Sequence, residues 1–138
     1  MITQALLTPV DEIPYIWHEV KPLIDKALVH SNGEILSEDI LNYLLSKEQY
    51  LFVGLNNERA IHSALVGEVI DYPRKRVFRV ITWSTKSGRG YNDWVPLLSS
   101  IEYFAKQAEC NSIEAWARKG LAKKLKWDNE YSVITKNI

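Results

Sequence analysis

Apolar residues recur with the period of a helix over the first third of the chain and with the shorter period of strands from Tyr50 onward. Ile13, Ile16, Trp17, Val20, Leu23, Ile24, Ala27 and Leu28 fall three or four positions apart, which places them on one helical face. Asp11 stands where an N-cap belongs, after Pro9 ends a short apolar run from Met1 to Thr8 that reads as an edge strand. Pro22 lacks the amide that an interior helical position needs, so a kink or a division is expected there, and Asn32-Gly33 stops the helix. A second helix is expected from a Ser37 cap to about Glu48. Glu38 and Asp39 favour its first turn, and Ile40, Leu41, Leu44 and Leu45 form its stripe.

The strand pattern follows. Tyr50 to Leu55 and Ala60 to Asp71 are rich in β-formers and flank a turn at Asn56-Asn57, with Gly67 marking a bulge. After a turn at Tyr72-Pro73, the stretch Arg76 to Ser84 sets Val77, Arg79, Ile81 and Trp83 against Phe78, Val80 and Thr82. These three strands predict a central antiparallel meander. Thr85 to Gly90 is a polar loop. Trp94, Leu97, Leu98, Ile101, Phe104, Ala105 and Ala108 then line a helix beginning near Asp93, with Pro96 tolerated in its first turn. Ser112 to Ala117 predicts a strand, Lys119 to Leu125 a short helix and Tyr131 to Thr135 a last strand. No repeat or low-complexity linker interrupts the chain, so residues 1–138 read as one layered α/β (α+β) domain.

Composition narrows the function classes. Seventeen basic residues balance seventeen acidic ones, so overall charge gives no reason to expect nucleic acid or an anionic membrane as the main partner. Lone Cys110 has no internal disulfide partner and reads as a small packing residue. His18, His30 and His62 match no compact metal motif, and no metal is expected. The absence of a signal-like start and of a long apolar run points to the cytoplasm. Arg74-Lys75-Arg76 and the group Arg118, Lys119, Lys123, Lys124 and Lys126 read as solvated faces, although basic clusters near Trp116 and Trp127 are also what nucleic-acid stacking would use.

The segment Thr85-Lys86-Ser87-Gly88-Arg89-Gly90 carries the sharpest chemistry. Glycines there allow close backbone approach, the following helix offers free amides and a favourable dipole, and Lys86 and Arg89 add positive charge for phosphate. A Gly-x-Gly pair also suits a plain turn between strand and helix. Its place in the order of elements decides between the two. Strand, two helices, meander, glycine loop, helix, strand, short helix and strand resembles the GNAT superfamily of N-acetyltransferases across nearly the whole chain. The loop is similar to that family's Gln/Arg-x-x-Gly-x-Gly/Ala coenzyme A signature, with Thr85 standing where the family has glutamine or arginine. Tyr72-Pro73-Arg74, Trp94-Val95-Pro96-Leu97-Leu98 and Arg118-Lys119-Gly120 are also similar to a group of GNAT-like proteins encoded by tailed bacteriophages.

The resemblance implies a mostly antiparallel sheet flanked by helices and acetyl-coenzyme A as cofactor. The cofactor's pantetheine arm would pair with the backbone at Val80 and Thr82, and its pyrophosphate would lie on Thr85, Lys86, Ser87, Gly88, Arg89 and Gly90. The acceptor would be an amine, freed of a proton by a carboxylate or a water, with a tyrosine protonating the departing thiolate. The family's usual tyrosine position holds Ala122, leaving Tyr91 and Tyr131 as substitutes that also suit aromatic packing. Arg76, Phe78 and Arg79 occupy the central strand where the family often has a base. Glu68 on the preceding strand is then the candidate proton acceptor, or otherwise an ordinary solvent-facing carboxylate. Two functions follow from the resemblance: acetyl transfer to an amine, or a catalytically silent phage or prophage protein that works by binding a phage or host protein.

Overall fold

A computed structural model describes residues 4–29, 33–86, 95–115, 123, 125–128 and 134–138. Among the described residues five strands form one sheet in chain order: β1 (Gln4–Leu7), β2 (Tyr50–Leu55), β3 (Ile61–Tyr72), β4 (Lys75–Thr85) and β5 (Ser112–Ala115). The first four are antiparallel and β5 runs parallel to β4. Helices α1 (Ile13–Leu28) and α2 (Ser37–Leu45) supply one core, and α3 (Val95–Gln107) supplies the other. This is the mixed, mostly antiparallel sheet flanked by helices that the sequence predicts.

Strand alternation feeds both cores at once. Leu51, Val53, Ala64 and Val66 pack against Val20, Leu23, Ile24, Ile40 and Leu44 of α1 and α2. Phe52, Leu65, Phe78 and Val80 pack against Leu97, Leu98, Ile101 and Ala105 of α3. On the α3 side Phe52, Phe78 and Phe104 meet edge to face, with centroids 5.5 to 6.0 Å apart, a geometry that adds about 0.5–1.5 kcal/mol per pair beyond burial. The Pro73-Arg74 turn closes the β3–β4 hairpin, with Tyr72 opposite Lys75.

Several local expectations are corrected. Asp11 is not a helix cap: it lies in a 3-10 turn, Val10–Glu12, that precedes α1. Pro22 does not divide α1. The proline is exposed while Val20, Leu23 and Ile24 around it are buried, and burial of those three, at about 1.5–3 kcal/mol each, outweighs the roughly 3 kcal/mol that an interior proline costs. Ser37 is the first helical residue of α2 rather than its cap. Its hydroxyl bonds the Asp25 carboxylate of α1, and the Leu36 amide is satisfied by Asp39 Oδ2 at 2.9 Å.

The most consequential correction concerns β4. Register advances one for one from Ser63 opposite Thr85 to Val66 opposite Thr82, then jumps so that Gly67 faces Val80, leaving Ile81 as the extra residue of a bulge. The bulge expected at Gly67 is there, but the added residue is on β4. Alternation therefore inverts: Phe78 and Val80 face α3 before it, Trp83 faces α3 after it, and Ile81 joins the α1 core. The expected lower strand, Tyr131 to Thr135, lies outside the described residues except for Ile134 and Thr135, which are exposed and carry no strand. Of the expected helix at Lys119 to Leu125, only Lys123 and Leu125 are described, and Leu125 is buried in the α3 core.

Candidate functional site

Among the described residues β5 pairs with β4 from Val77 opposite Ser112 to Val80 opposite Ala115, and β4 continues to Thr85. The residues that follow Ala115 lie outside the described ones. Toward the end of β4, Thr82 is 4% exposed, and its Oγ1 is buried with no hydrogen-bond partner among the described residues. A buried hydroxyl left unsatisfied costs about 1–3 kcal/mol.

At the tip of β4, Lys26 of α1 donates from Nζ to the Thr85 carbonyl at 2.7 Å, and the Lys86 amide donates to the His62 carbonyl at 2.8 Å. A cleft of about 430 Å³ lies beside them, lined by His18, Glu19, Pro22, Leu23, Lys26 and Lys86. Two ammonium groups thus stand where β4 runs into the glycine loop, a setting that favours anions.

On the other side of the bulge a charged row crosses three strands on the α1 side of the sheet. Glu68 on β3 faces Arg79 on β4, which faces Glu114 on β5. Their neighbours Val69, Phe78 and Ile113 turn to α3, which fixes the row on the opposite face. Tyr72, four residues along β3 from Glu68, reaches into the row. Arg79 Nη2 donates to the Tyr72 hydroxyl at 2.9 Å, and that hydroxyl donates to Glu114 Oε1 at 2.8 Å. Arg79 Nε is 3.7 Å from Glu114 Oε2, and the two side chains are only 17% and 22% exposed.

Of the sequence candidates, Val80, Thr82 and Thr85 are buried on β4, Lys86 is exposed just beyond it, and Glu68 is half-buried on β3. Ser87, Gly88, Arg89, Gly90, Tyr91, Ala122 and Tyr131 lie outside the described residues. The sequence did not single out Glu114, and it marked Tyr72 only as part of a turn and of the Tyr72-Pro73-Arg74 motif. The available signal was their position: Glu114 sits between Ile113 and Ala115, as Arg79 sits between Phe78 and Val80. The parallel register that brings them together is written in neither segment. Among the described residues, no group of three His, Cys, Asp or Glu side chains is placed to hold a metal ion, and no helix is long and apolar enough to cross a membrane.

No protein-family profile matches the sequence, and no curated protein matches it. Solved structures do. A GNAT family acetyltransferase from Staphylococcus aureus superposes with a TM-score of 0.68 at 16% identity, covering 100% of both chains. An acetyltransferase from Clostridium acetobutylicum, solved with acetyl-CoA, gives 0.70 at 17% identity over 99% of this chain and 96% of that one. An aminoglycoside acetyltransferase from an uncultured soil metagenomic sample, in complex with sisomicin, gives 0.73 at 16% identity over 98% and 94%. The fold of this chain is that of the GNAT acetyltransferases.

Proposed function

We propose that this chain is a GNAT enzyme that binds acetyl-coenzyme A along the C-terminal end of β4 and transfers the acetyl group to an amine. The observation that carries the proposal is the fold, shared over nearly the whole chain with a structure that contains acetyl-CoA. The residues present fit that ligand. The pantetheine arm would lie along β4 from Val80, opposite Ala115 of β5, to Thr82, whose buried Oγ1 has no hydrogen-bond partner among the described residues. Thr85, Lys86, Ser87, Gly88, Arg89 and Gly90 form the phosphate loop, with Lys26 adding a second ammonium group beside Lys86.

Acetyl-coenzyme A supplies the thioester when bound. The protein's task is to bring a neutral amine to that carbonyl in line, which gives most of its rate advantage by positioning. The charged row on the α1 face receives the amine: Glu68, with no hydrogen bond to its carboxylate among the described residues, draws the cationic ammonium form. Tyr131 is the proposed proton donor to the leaving thiolate. The enzyme works in the cytoplasm, where acetyl-coenzyme A is made.

Calorimetric titration with acetyl-coenzyme A and with coenzyme A tests the cofactor site. Micromolar binding that Gly88→Trp abolishes without lowering the melting temperature is the expected result. Unchanged affinity in that variant defeats the assignment of the loop.

Thr85 in place of the family's glutamine or arginine, and Ala122 in place of its tyrosine, favour a second reading. In it the chain is a phage or prophage protein that keeps the fold without turnover and acts by binding a phage or host protein. Multiple-turnover acetyl transfer to any amine rejects it.

A further inference from the structure

We infer that Lys26 of α1 is a positioning residue for the cofactor's pyrophosphate, supplying from a separate helix the charge that the loop sequence omits at Thr85. The inference rests on the acetyltransferase reading above and deepens it, because it accounts for a phosphate loop that opens on threonine.

The loop sequence creates the need. Thr85 stands where the coenzyme A signature has glutamine or arginine. Its side chain is short and uncharged, and the residue is only 4% exposed, so it offers a phosphate neither charge nor reach. A cation arrives instead from a residue 59 positions away in the chain: Lys26 Nζ donates to the Thr85 carbonyl at 2.7 Å.

That bond is half of a grip on one peptide unit. The Thr85 carbonyl is held by Lys26, and the amide of the same unit, on Lys86, donates to the His62 carbonyl at 2.8 Å. A peptide unit is planar, so holding both its oxygen and its nitrogen fixes the direction in which the chain leaves β4. The ammonium is thereby set at a defined place beside the first residue of the loop. The carbonyl is neutral. It takes up one of an ammonium's three donors and none of its charge. Glu19, the carboxylate on the same cleft, stands 3.7 Å from His18 Nε2.

The backbone beneath Lys26 is fixed as well. The preceding residue, Asp25, accepts from Lys21 Nζ at 2.8 Å and from the Ser37 hydroxyl of α2, and Leu23 and Ile24 are buried in the α1 core. Much of the freedom that a lysine gives up in holding a phosphate is therefore already lost before the ligand arrives. Lysine acts on phosphate as a point charge and needs no bidentate alignment, which lets it work on the loop from the side.

The test is calorimetric titration of the full chain with acetyl-coenzyme A at low and high salt, using Lys26→Met, Lys26→Gln and Lys26→Arg. Glutamine keeps a donor for the Thr85 carbonyl but carries no charge, so it separates the tie from the electrostatics. Lys26→Gln and Lys26→Met should each weaken binding about tenfold at about 0.05 M salt, the order expected of a bond to a charged group. The deficit should shrink to about twofold at about 0.5 M salt, where screening removes the contribution of the parent's ammonium. Lys26→Arg, which keeps the charge, should bind within about threefold of the parent. Melting temperature should fall in Lys26→Met and stay near the parent in Lys26→Gln. Dephospho-coenzyme A, which lacks the ribose phosphate, should lose the same factor as coenzyme A in Lys26→Gln. A loss confined to coenzyme A would put Lys26 on the ribose phosphate and overturn the inference. Parent-like affinity in Lys26→Gln, or a deficit that salt does not change, would reduce Lys26 to a structural tie and overturn it while leaving the acetyltransferase reading in place. A parent that binds no acetyl-coenzyme A overturns both.

Discussion

The ring of Phe78 lies where a side chain on Gly67 would begin. A β-carbon at Gly67 would collide with the ring's outer edge and come within 2.9 Å of the Arg79 carbonyl. The two residues are diagonal neighbours across β3 and β4, next to the bulge at Ile81. Phe78 is fully buried and T-stacked on Phe52, so it has no room to yield. Gly67→Ala should therefore cost about 2 kcal/mol through overpacking, lowering Tm by about 8 °C for a domain of this size. Adding Phe78→Leu should make the alanine less harmful than it is alone, and strictly additive losses in that double-mutant cycle would show that the ring is not the obstacle.

Asp25, Lys21 and Ser37 join α1 to α2. Lys21 donates to Asp25 Oδ2 at 2.8 Å. This bond first, then the Ser37 hydroxyl, hold the Asp25 carboxyl below its usual range against partial burial, while Asp25 raises Lys21. A lowered carboxyl stabilises the fold above its unfolded pKa of about 4 and loses that effect as pH falls through the lower folded value. The raised ammonium acts below its own unfolded pKa and loses effect only in strong alkali. Asp25→Asn should thus lower Tm at pH 7, and the gap from the parent should narrow at pH 3. A gap that widens in acid would contradict the assignment.

Cys110 is half-buried behind α3, and burial pushes its thiol up despite the nearby Arg76 guanidinium. The thiolate is the reactive form. At pH 8, alkylation of the folded protein by iodoacetamide should run about tenfold slower than that of the chain in denaturant. Comparable rates in the two states would remove the packing role assigned to this cysteine.

Asn111 clasps the edge of β4 just before β5 begins. Its Oδ1 accepts from the Arg76 amide at 2.9 Å, and its own amide donates to the Arg76 carbonyl at 2.7 Å. Arg76 Nη1 also reaches the Ala108 carbonyl at 2.9 Å. Asn111→Ala should cost about 1–2 kcal/mol and speed hydrogen exchange at the Arg76 amide and along β5 while leaving β2 protected. Uniform acceleration across the sheet would point to global destabilisation instead.

Much of the fold was legible because each core-facing element repeats its period over several turns. α1, α2 and α3 carry stripes that neither charge nor glycine interrupts, the meander alternates on either side of Gly67 and Arg79, and the structure places all of them within a few residues of expectation. What escaped was non-periodic or non-local. The extra residue at Ile81 leaves no compositional trace, since Val80, Ile81 and Thr82 are all ordinary strand formers. Ser37 was misread because its hydroxyl had a tertiary partner, Asp25, that outweighed the local capping role. The site divides the same way. The proposed phosphate loop is one contiguous segment of sequence, of which residues 87–90 lie outside the described ones, whereas Tyr72, Arg79 and Glu114 are scattered along the chain and meet only through strand register.

That extra residue gives β4 something like a reading frame. Deleting Ile81 would restore unbroken alternation without turning any neighbour over: Val80 would still face Gly67 and Thr82 would still face Val66, so Trp83 would stay among the α3 aromatics. Keeping Ile81 and ironing out the bulge would do the opposite, turning Trp83 toward α1 and the hydroxyls of Thr82 and Ser84 into the phenylalanine core. The bulge is thus the device by which this sequence serves both cores along one strand.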